Sequence, residues 1–337
     1  MPGRGRLLFA VSFLMFAGAC RDATEPPTSP LSRTISDSRR SDQGMEVLSG
    51  AVVHRTLDAV RAARAAAKRT SPSVELTYGG GTSGIGVETA PKIYLVVWGS
   101  QWNGNDPSGE VETLNSFYSG IGTSSWLNTV TEYCEGVAKG TVFCNGAGTA
   151  AGNQSGMLAG VWYDNVSAAP SRPSQSNIAS EAVRAAQHFG NASAASNAGV
   201  QYVIATASRN SSRGFGTQYC AYHASTTSTG LGNVAYTNLP YITDAGASCG
   251  ANFNGLGANA GITIVSGHEA AESITDPFPN TGWLDSSGSE IGDKCAWIAT
   301  GTAGASQNVT ISTGTFPVQS LWSNAASTDK GGCVVSF

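Results

Sequence analysis

The chain carries little charge, no clustered basic residues and no Cys-x-x-Cys pair. Only 12% of its 337 residues are charged, and the formal net charge is −4. Because no basic patch stands out, a nucleic-acid partner is not expected. The lack of a Cys-x-x-Cys pair makes a structural zinc site on cysteines the weaker interpretation of the seven cysteines that are present.

The start of the chain has the pattern of an export signal. Arg4 and Arg6 precede an apolar stretch at residues 7–16, which is too short to span a bilayer. The small residues 17–19 follow, so residues 1–19 are predicted to be a signal peptide. The next residue, Cys20, also fits a lipoprotein cleavage box. The protein is therefore expected to be secreted or extracytoplasmic, and a lipid on Cys20 is its single predicted link to a membrane.

Three segments are predicted after the signal. Residues 20–44 are rich in proline, serine and charge and cannot bury enough apolar surface to fold, so they are expected to be a disordered tether. Residues 45–70 are rich in alanine, arginine and leucine and are predicted to be a helical linker or a pro-segment. His54 is expected to be solvated on that helix. Residues 71–337 are long enough for a single globular domain with a large core.

The remaining cysteines form an even set, which in an exported protein indicates disulfides. Six cysteines permit 15 pairings. Pairing between neighbours is favoured, and would join Cys134 to Cys144, Cys220 to Cys249, and Cys295 to Cys333.

The coarse pattern alternates strands with helices and ends in short strands alone. Residues 92–98 are an apolar, β-branched run typical of a buried strand, and residues 174–189 are typical of an amphipathic helix. After Cys295 only short β segments follow. The fold class is therefore predicted as α/β (α+β), with helices on a mixed sheet and a β-rich, disulfide-tethered C-terminal part.

Residues 266–277 contain the main chemical signal. They follow an apolar, strand-like run at residues 261–265 and predict a helix that ends at or before Pro277. His268 and Glu272 are four residues apart, so their side chains project from one helix face and can ligate one cation. Glu269 holds the position of the general base in His-Glu-x-x-His zinc peptidases, whose second histidine is a glutamate here.

A metal site needs a further ligand, and the loop after this helix offers two carboxylates. Glu290 and Asp293 are both candidates for the third ligand. Asp293 is favoured because a disulfide at Cys295 would anchor it. His223, beside Cys220, is a candidate ligand or oxyanion donor, and the alternative is a histidine bonded within a loop. Zn²⁺ is the expected ion, while the replacement of a histidine ligand by glutamate makes Mn²⁺ or Ca²⁺ alternatives.

The helix and loop together resemble the phosphate-induced/EXORDIUM-like family of secreted proteins and its bacterial relatives. The similarity is carried by residues 267–277, by Gly282-Trp283 and by residues 290–295, and is supported by residues 78–81 and 220–223. It extends over roughly residues 75–337. The resemblance implies an extracellular protein associated with the cell surface or wall, with a zincin-like metal site and no settled activity.

The predicted function is an exported metal-dependent hydrolase acting on peptides or proteins, with Glu269 as general base, and a monomer is expected. The alternative is a non-catalytic protein that binds a cell-wall or surface component and holds a structural ion. That alternative depends on tryptophans expected to be exposed, namely Trp102, Trp126, Trp162 and Trp283. A third interpretation is a disulfide-rich scaffold without an ion.

Overall fold

A six-stranded mixed sheet forms the centre of the fold. The computed structural model describes residues 48–67 and 75–337, all of which belong to one compact unit. The predicted signal peptide and tether lie outside the described residues. The described chain is therefore mixed α and β, as the sequence predicts at this coarse level.

The elements are numbered in chain order. The strands are β1 (Ala51–Arg55), β2 (Thr77–Tyr78), β3 (Lys92–Trp98), β4 (Cys134–Glu135), β5 (Thr149–Ala150), β6 (Leu158–Asp164), β7 (Val200–Thr206), β8 (Tyr219–Ser228), β9 (Gly232–Leu239), β10 (Trp283–Leu284), β11 (Gln307–Ile311), β12 (Gly314–Val318), β13 (Leu321–Ser323) and β14 (Gly332–Val334). The helices are α1 (Leu57–Ala67), α2 (Glu110–Gly120), α3 (Gln175–His188), α4 (Ala194–Asn197), α5 (Ala260–Thr275) and α6 (Ala326–Asp329).

The main sheet has the order β1-β8-β9-β7-β3-β6. Strands β6, β3, β7 and β9 are parallel, whereas β8 is antiparallel to β9 and β1 is antiparallel to β8. The central strand β7 is buried along its whole length, because helices cover both sheet faces. Helix α3 packs on one face, and α2 and α5 lie on the other.

Three disulfides join the cysteines in the neighbour pairing that the sequence favours. They link Cys134 to Cys144, Cys220 to Cys249, and Cys295 to Cys333. The third bridge ties β14 to the segment just after the loop that carries Asp293. This pairing indicates an oxidising environment. Within residues 48–67 and 75–337, no helix is both long and apolar enough to cross a bilayer.

Three elements differ from the sequence-based predictions. Residues 51–55 form strand β1, where a helix is predicted. Because β1 pairs with β8, the segment predicted to be a linker before residue 71 is joined to the main sheet. The apolar run at residues 261–265 forms the first turns of α5 and is not a strand. A helix that is buried on every side can be apolar on every side, so an apolar run alone does not distinguish it from a buried strand. The sequence predicts no strand at residues 219–228, where the structure has β8, and His223 therefore lies on a strand and not in a loop.

Candidate metal centre

Helix α5 carries three titratable side chains into the protein interior. All 16 of its residues are buried, and His268, Glu269 and Glu272 are 0% exposed. The helix ends at Thr275, as the following Pro277 predicts. Carboxylates rarely lie in such a place unless they are paired or bind a cation.

The loop after α5 brings Glu290 and Asp293 to the same region. The backbone N–H of Asp293 donates to Glu272 Oε1 at 2.9 Å. A Cβ atom at Gly292 would lie 2.6 Å from His268 Nδ1, so only glycine lets this loop approach the helix so closely. Strand β8 supplies His223, which is 1% exposed. The structure thus brings all six predicted site residues together.

His268, Glu272 and Asp293 form one group of candidate ligands. His268 Nε2 lies 3.1 Å from Glu272 Oε2 and 4.0 Å from Asp293 Oδ1. Two donors bound to one Zn²⁺ at about 2.0–2.2 Å lie no more than about 4.4 Å apart, so these distances suit a shared ion. Glu290 lies on the other side, with its Oε2 atom 3.6 Å from His223 Nε2. Of the two predicted loop carboxylates, Asp293 is therefore the one beside His268.

A second group is centred on His223. Its Nδ1 atom lies 3.2 Å from Glu269 Oε2 and 3.6 Å from Glu272 Oε2. Among the described residues, no candidate ligand group of three side chains contains both His223 and His268. Glu272 belongs to one group with His223 and to another with His268. The His223 imidazole therefore lies where it can orient Glu269, and it is outside the group of candidate ligands formed by His268, Glu272 and Asp293.

Gln319 fixes the orientation of the His268 ring, although no pattern in the sequence distinguishes this residue. The Gln319 amide nitrogen donates to the Gly292 carbonyl at 2.8 Å, which leaves its Oε1 atom facing His268 Nδ1 at 3.2 Å. The Nδ1 atom must then be the N–H donor. In neutral imidazole this leaves a lone pair on Nε2, the atom that faces Glu272 and Asp293. A hydrogen bond of this kind to the distal nitrogen is typical of metal-bound histidines.

His54 is the third histidine at the site, and the prediction that it is a solvated helix residue is wrong. It lies on β1, is 0% exposed, and stacks on His268 with ring centroids 3.9 Å apart. One of its nitrogens lies within 4.8 Å of donor atoms of His268 and Glu269. No pattern at residues 50–56 distinguishes this histidine, because its partners are more than 200 positions away.

Buried polar atoms without hydrogen-bond partners are concentrated at this centre. Within the described residues they include both ring nitrogens of His54, both carboxylate oxygens of Glu290, and one atom each of His223, His268, Glu269 and Glu272. Leaving such atoms unpaired costs about 1–3 kcal/mol each, more for charged groups. Imidazole nitrogens and carboxylate oxygens are donors that Zn²⁺ and Mn²⁺ accept. The residues present therefore fit a divalent cation.

Burial and mutual charge set the ionisation of the α5 and loop residues. Burial alone would lower the pKa of His268, but the negative charge of Glu272, whose Oε2 atom lies 3.1 Å from Nε2, outweighs it and raises that pKa to about 10. Burial opposes the charged form of Glu272, yet His268 holds its pKa below the ordinary value. Burial raises the pKa of Asp293 to about 7 and also raises the pKa values of Glu269 and Glu290. Protons on these imidazole and carboxyl groups therefore balance part of the buried negative charge. A bound cation would balance the same charge in their place.

The two histidines contributed by the sheet differ in their ionisation. Burial lowers the pKa of His54 well below its ordinary value, and the nearby charge of His268 lowers it further. Burial also acts to lower the pKa of His223, but the hydrogen bond and charge of Glu269 outweigh it and raise this pKa. Neutral His54 is therefore a lone-pair donor near neutral pH, whereas His223 favours its cationic form.

Cation affinity is expected to rise with pH between about 6 and 9. A ligand must lose its proton to bind a cation, and the raised pKa values of His268 and Asp293 keep protons on both near neutral pH. Affinity should rise by about tenfold per pH unit for each proton displaced. Calorimetric titration with Zn²⁺ at pH 7, in buffers of different ionisation enthalpy, should show release of at least one proton per ion. A pH-independent affinity without proton release would show that these groups are not the ligands.

Comparison of the chain with known protein families, with curated proteins and with solved structures finds no match. The function is therefore inferred from the geometry and chemistry of the centre alone.

Proposed function

We propose that the protein is an exported, metal-dependent hydrolase with peptide bonds as its substrate class. The observation that carries this proposal is the convergence of unpartnered imidazole and carboxylate atoms from α5, β8 and the loop at residues 290–293. The chain would lie in an oxidising, extracytoplasmic compartment, consistent with its three disulfides. Attachment through a lipid on Cys20 remains part of the proposal.

Five residues of the centre have a proposed role in the reaction. His268, Glu272 and Asp293 would hold the ion, with Zn²⁺ proposed first and Mn²⁺ or Ca²⁺ as alternatives. When bound, such an ion polarises a carbonyl and makes a water more acidic. Glu269 has one oxygen facing His223 and an unpartnered Oε1, so Oε1 can accept the proton of the attacking water and later return it to the leaving amine.

His223 would act beside Glu269. Its Nδ1–H would donate to Glu269 Oε2, which would fix the carboxylate and leave Oε1 available to accept a proton. As a cation it would also stabilise negative charge that develops on the substrate carbonyl oxygen. We also propose that the fold is zincin-like and that the chain belongs to the EXORDIUM-like family. Both proposals are based on the order of the helix motif and the loop carboxylates along the chain.

A second candidate function, a non-catalytic surface protein with a structural ion, also has a supporting observation. His268, Glu269 and Glu272 are fully buried, as ligands of a structural ion often are. The tryptophans on which this alternative depended do not support it. Trp102, Trp126 and Trp283 are buried, and Trp162 is partly buried and stacks on His188.

Cleavage of a broad peptide library distinguishes the two functions. The protein loaded with Zn²⁺ should cleave the library, and a chelator should abolish the cleavage reversibly. The non-catalytic function would be supported instead if the protein retains its ion but cleaves no peptide. This result must hold even after release of the strand described in the next subsection.

A further inference from the structure

Strand β1 lies at the edge of the main sheet, directly beside the strand that carries His223. In the antiparallel register, Val52 is opposite His223 and His54 is opposite Ala221. Residues 219–224 of β8 are all buried, whereas in β1 only His54 is buried. The edge of β8 is thus covered by a strand with one fully buried side chain, while Ala51 and Val53 pack partly buried against the core.

The buried residue of β1 enters the candidate metal centre. The His54 ring stacks on His268 with an interplanar angle of 13°, and Trp297 lies on it at 4.9 Å. Neither His54 nitrogen has a hydrogen-bond partner within the described residues. A strand in this register therefore places one side chain against both His268 and the general base Glu269, where a substrate would have to lie.

The rest of the segment at residues 48–67 is held by partly buried apolar side chains, among them Leu57 and Val60, that pack against the core, and by hydrogen bonds at both ends. Gln175 exchanges two hydrogen bonds of 2.9 Å with the Ser49 backbone, and the Arg64 guanidinium donates to the Ala296 carbonyl at 2.6 Å. An open surface groove of about 470 Å³ lies along the segment and the start of β8, lined by Val53 and Tyr219 among others.

We propose that the edge of β8 is the binding site for an extended peptide, and that residues 51–55 occupy this site in the intact chain. Antiparallel backbone pairing recognises a peptide largely independently of its sequence, as in other cases of β-strand addition. Release of the segment at residues 48–67 opens both the edge and the centre. The inference rests on the proposed function, since it supplies the substrate's path to Glu269.

Peptide exchange tests this inference without depending on catalysis. A recognition sequence for a site-specific protease is inserted between residues 70 and 71, and the chain also carries Glu269→Gln so that bound peptide is not consumed. Before and after cutting, binding of a fluorescein-labelled peptide of residues 48–60 is followed by fluorescence anisotropy. The cut protein should bind it saturably, and at least about 50-fold more tightly than the uncut protein. A matched peptide with Val53→Pro should not bind, because proline disrupts strand pairing.

The uncut chain provides an independent variant. Val53→Pro within β1 should increase binding of the labelled wild-type peptide, whereas Val166→Pro on an exposed loop should not. Failure of the cut segment to exchange in native buffer, or loss of near-ultraviolet circular dichroism on its release, would overturn the inference. A third outcome is that the cut protein binds the labelled peptide saturably, but the protein with Glu269 intact hydrolyses no peptide. This outcome would support the inference about the β8 edge and contradict the proposed reaction.

Discussion

Replacing Glu269 by glutamine is expected to lower peptide hydrolysis about 10²–10⁴-fold while leaving the bound cation in place. Glutamine keeps the size of the side chain and can still accept a hydrogen bond from His223 Nδ1, but it cannot take a proton from water. Glu269 is outside the proposed ligand set, so the ligand geometry of His268, Glu272 and Asp293 should be preserved. The measurement is the rate of library cleavage at saturating Zn²⁺, with metal content determined on the same samples.

The matched control is Glu112→Gln. Glu112 lies on α2, is exposed and takes no part in the centre, so its replacement removes the same charge without touching the reacting groups. It should leave both cleavage and metal content unchanged. Undiminished cleavage by the Glu269→Gln protein would show that another group serves as the base. Loss of metal together with activity would place Glu269 among the ligands.

Removing the Cys295–Cys333 disulfide is expected to lower both stability and cation affinity. The bridge closes a segment with a sequence separation of 38 residues, and its loss should decrease the unfolding free energy by about 2–4 kcal/mol. Cys295 lies two residues after Asp293, so the loop that positions this ligand would gain freedom. A double replacement of Cys295 and Cys333 by alanine should therefore weaken Zn²⁺ binding by about 10-fold or more.

The Cys134–Cys144 bridge is the control for this second prediction. It closes a shorter segment, with a sequence separation of 10, and its residues belong to none of the candidate ligand groups. Its replacement by alanines should destabilise the protein to chemical denaturation and leave Zn²⁺ affinity close to wild type. Equal losses of Zn²⁺ affinity in the two double variants would show that general destabilisation, rather than the anchoring of Asp293, causes the effect.

The helix motif and the disulfide pairing could be predicted because their signals are local or nearly so. The spacing of His268 and Glu272 on one helix face follows from helical geometry alone. The end of α5 follows from Pro277, and the strand at residues 92–98 follows from a continuous run of apolar, β-branched residues. These features need no knowledge of tertiary contacts.

The remaining features depend on contacts between distant parts of the chain. The buried part of β8 reads as a mixture of small, aromatic and polar residues, so its strand character shows only once it pairs with β9 and β1. His54 and Gln319 reach His268 from opposite ends of the sequence. The sequence favours Asp293 over Glu290 through its nearness to Cys295, and the folded loop places Asp293 beside His268 while Glu290 faces His223.

The most direct test of the whole account is the Zn²⁺ affinity of the protein, measured by competition with a chromophoric chelator at pH 7.5. The wild-type protein should bind at least one ion per chain, and His268→Ala should weaken binding by at least about 100-fold. Asp293→Asn should weaken it more than Glu290→Gln does. Absence of binding in the wild-type protein, or an affinity that His268→Ala leaves unchanged, would contradict the assignment of a metal centre.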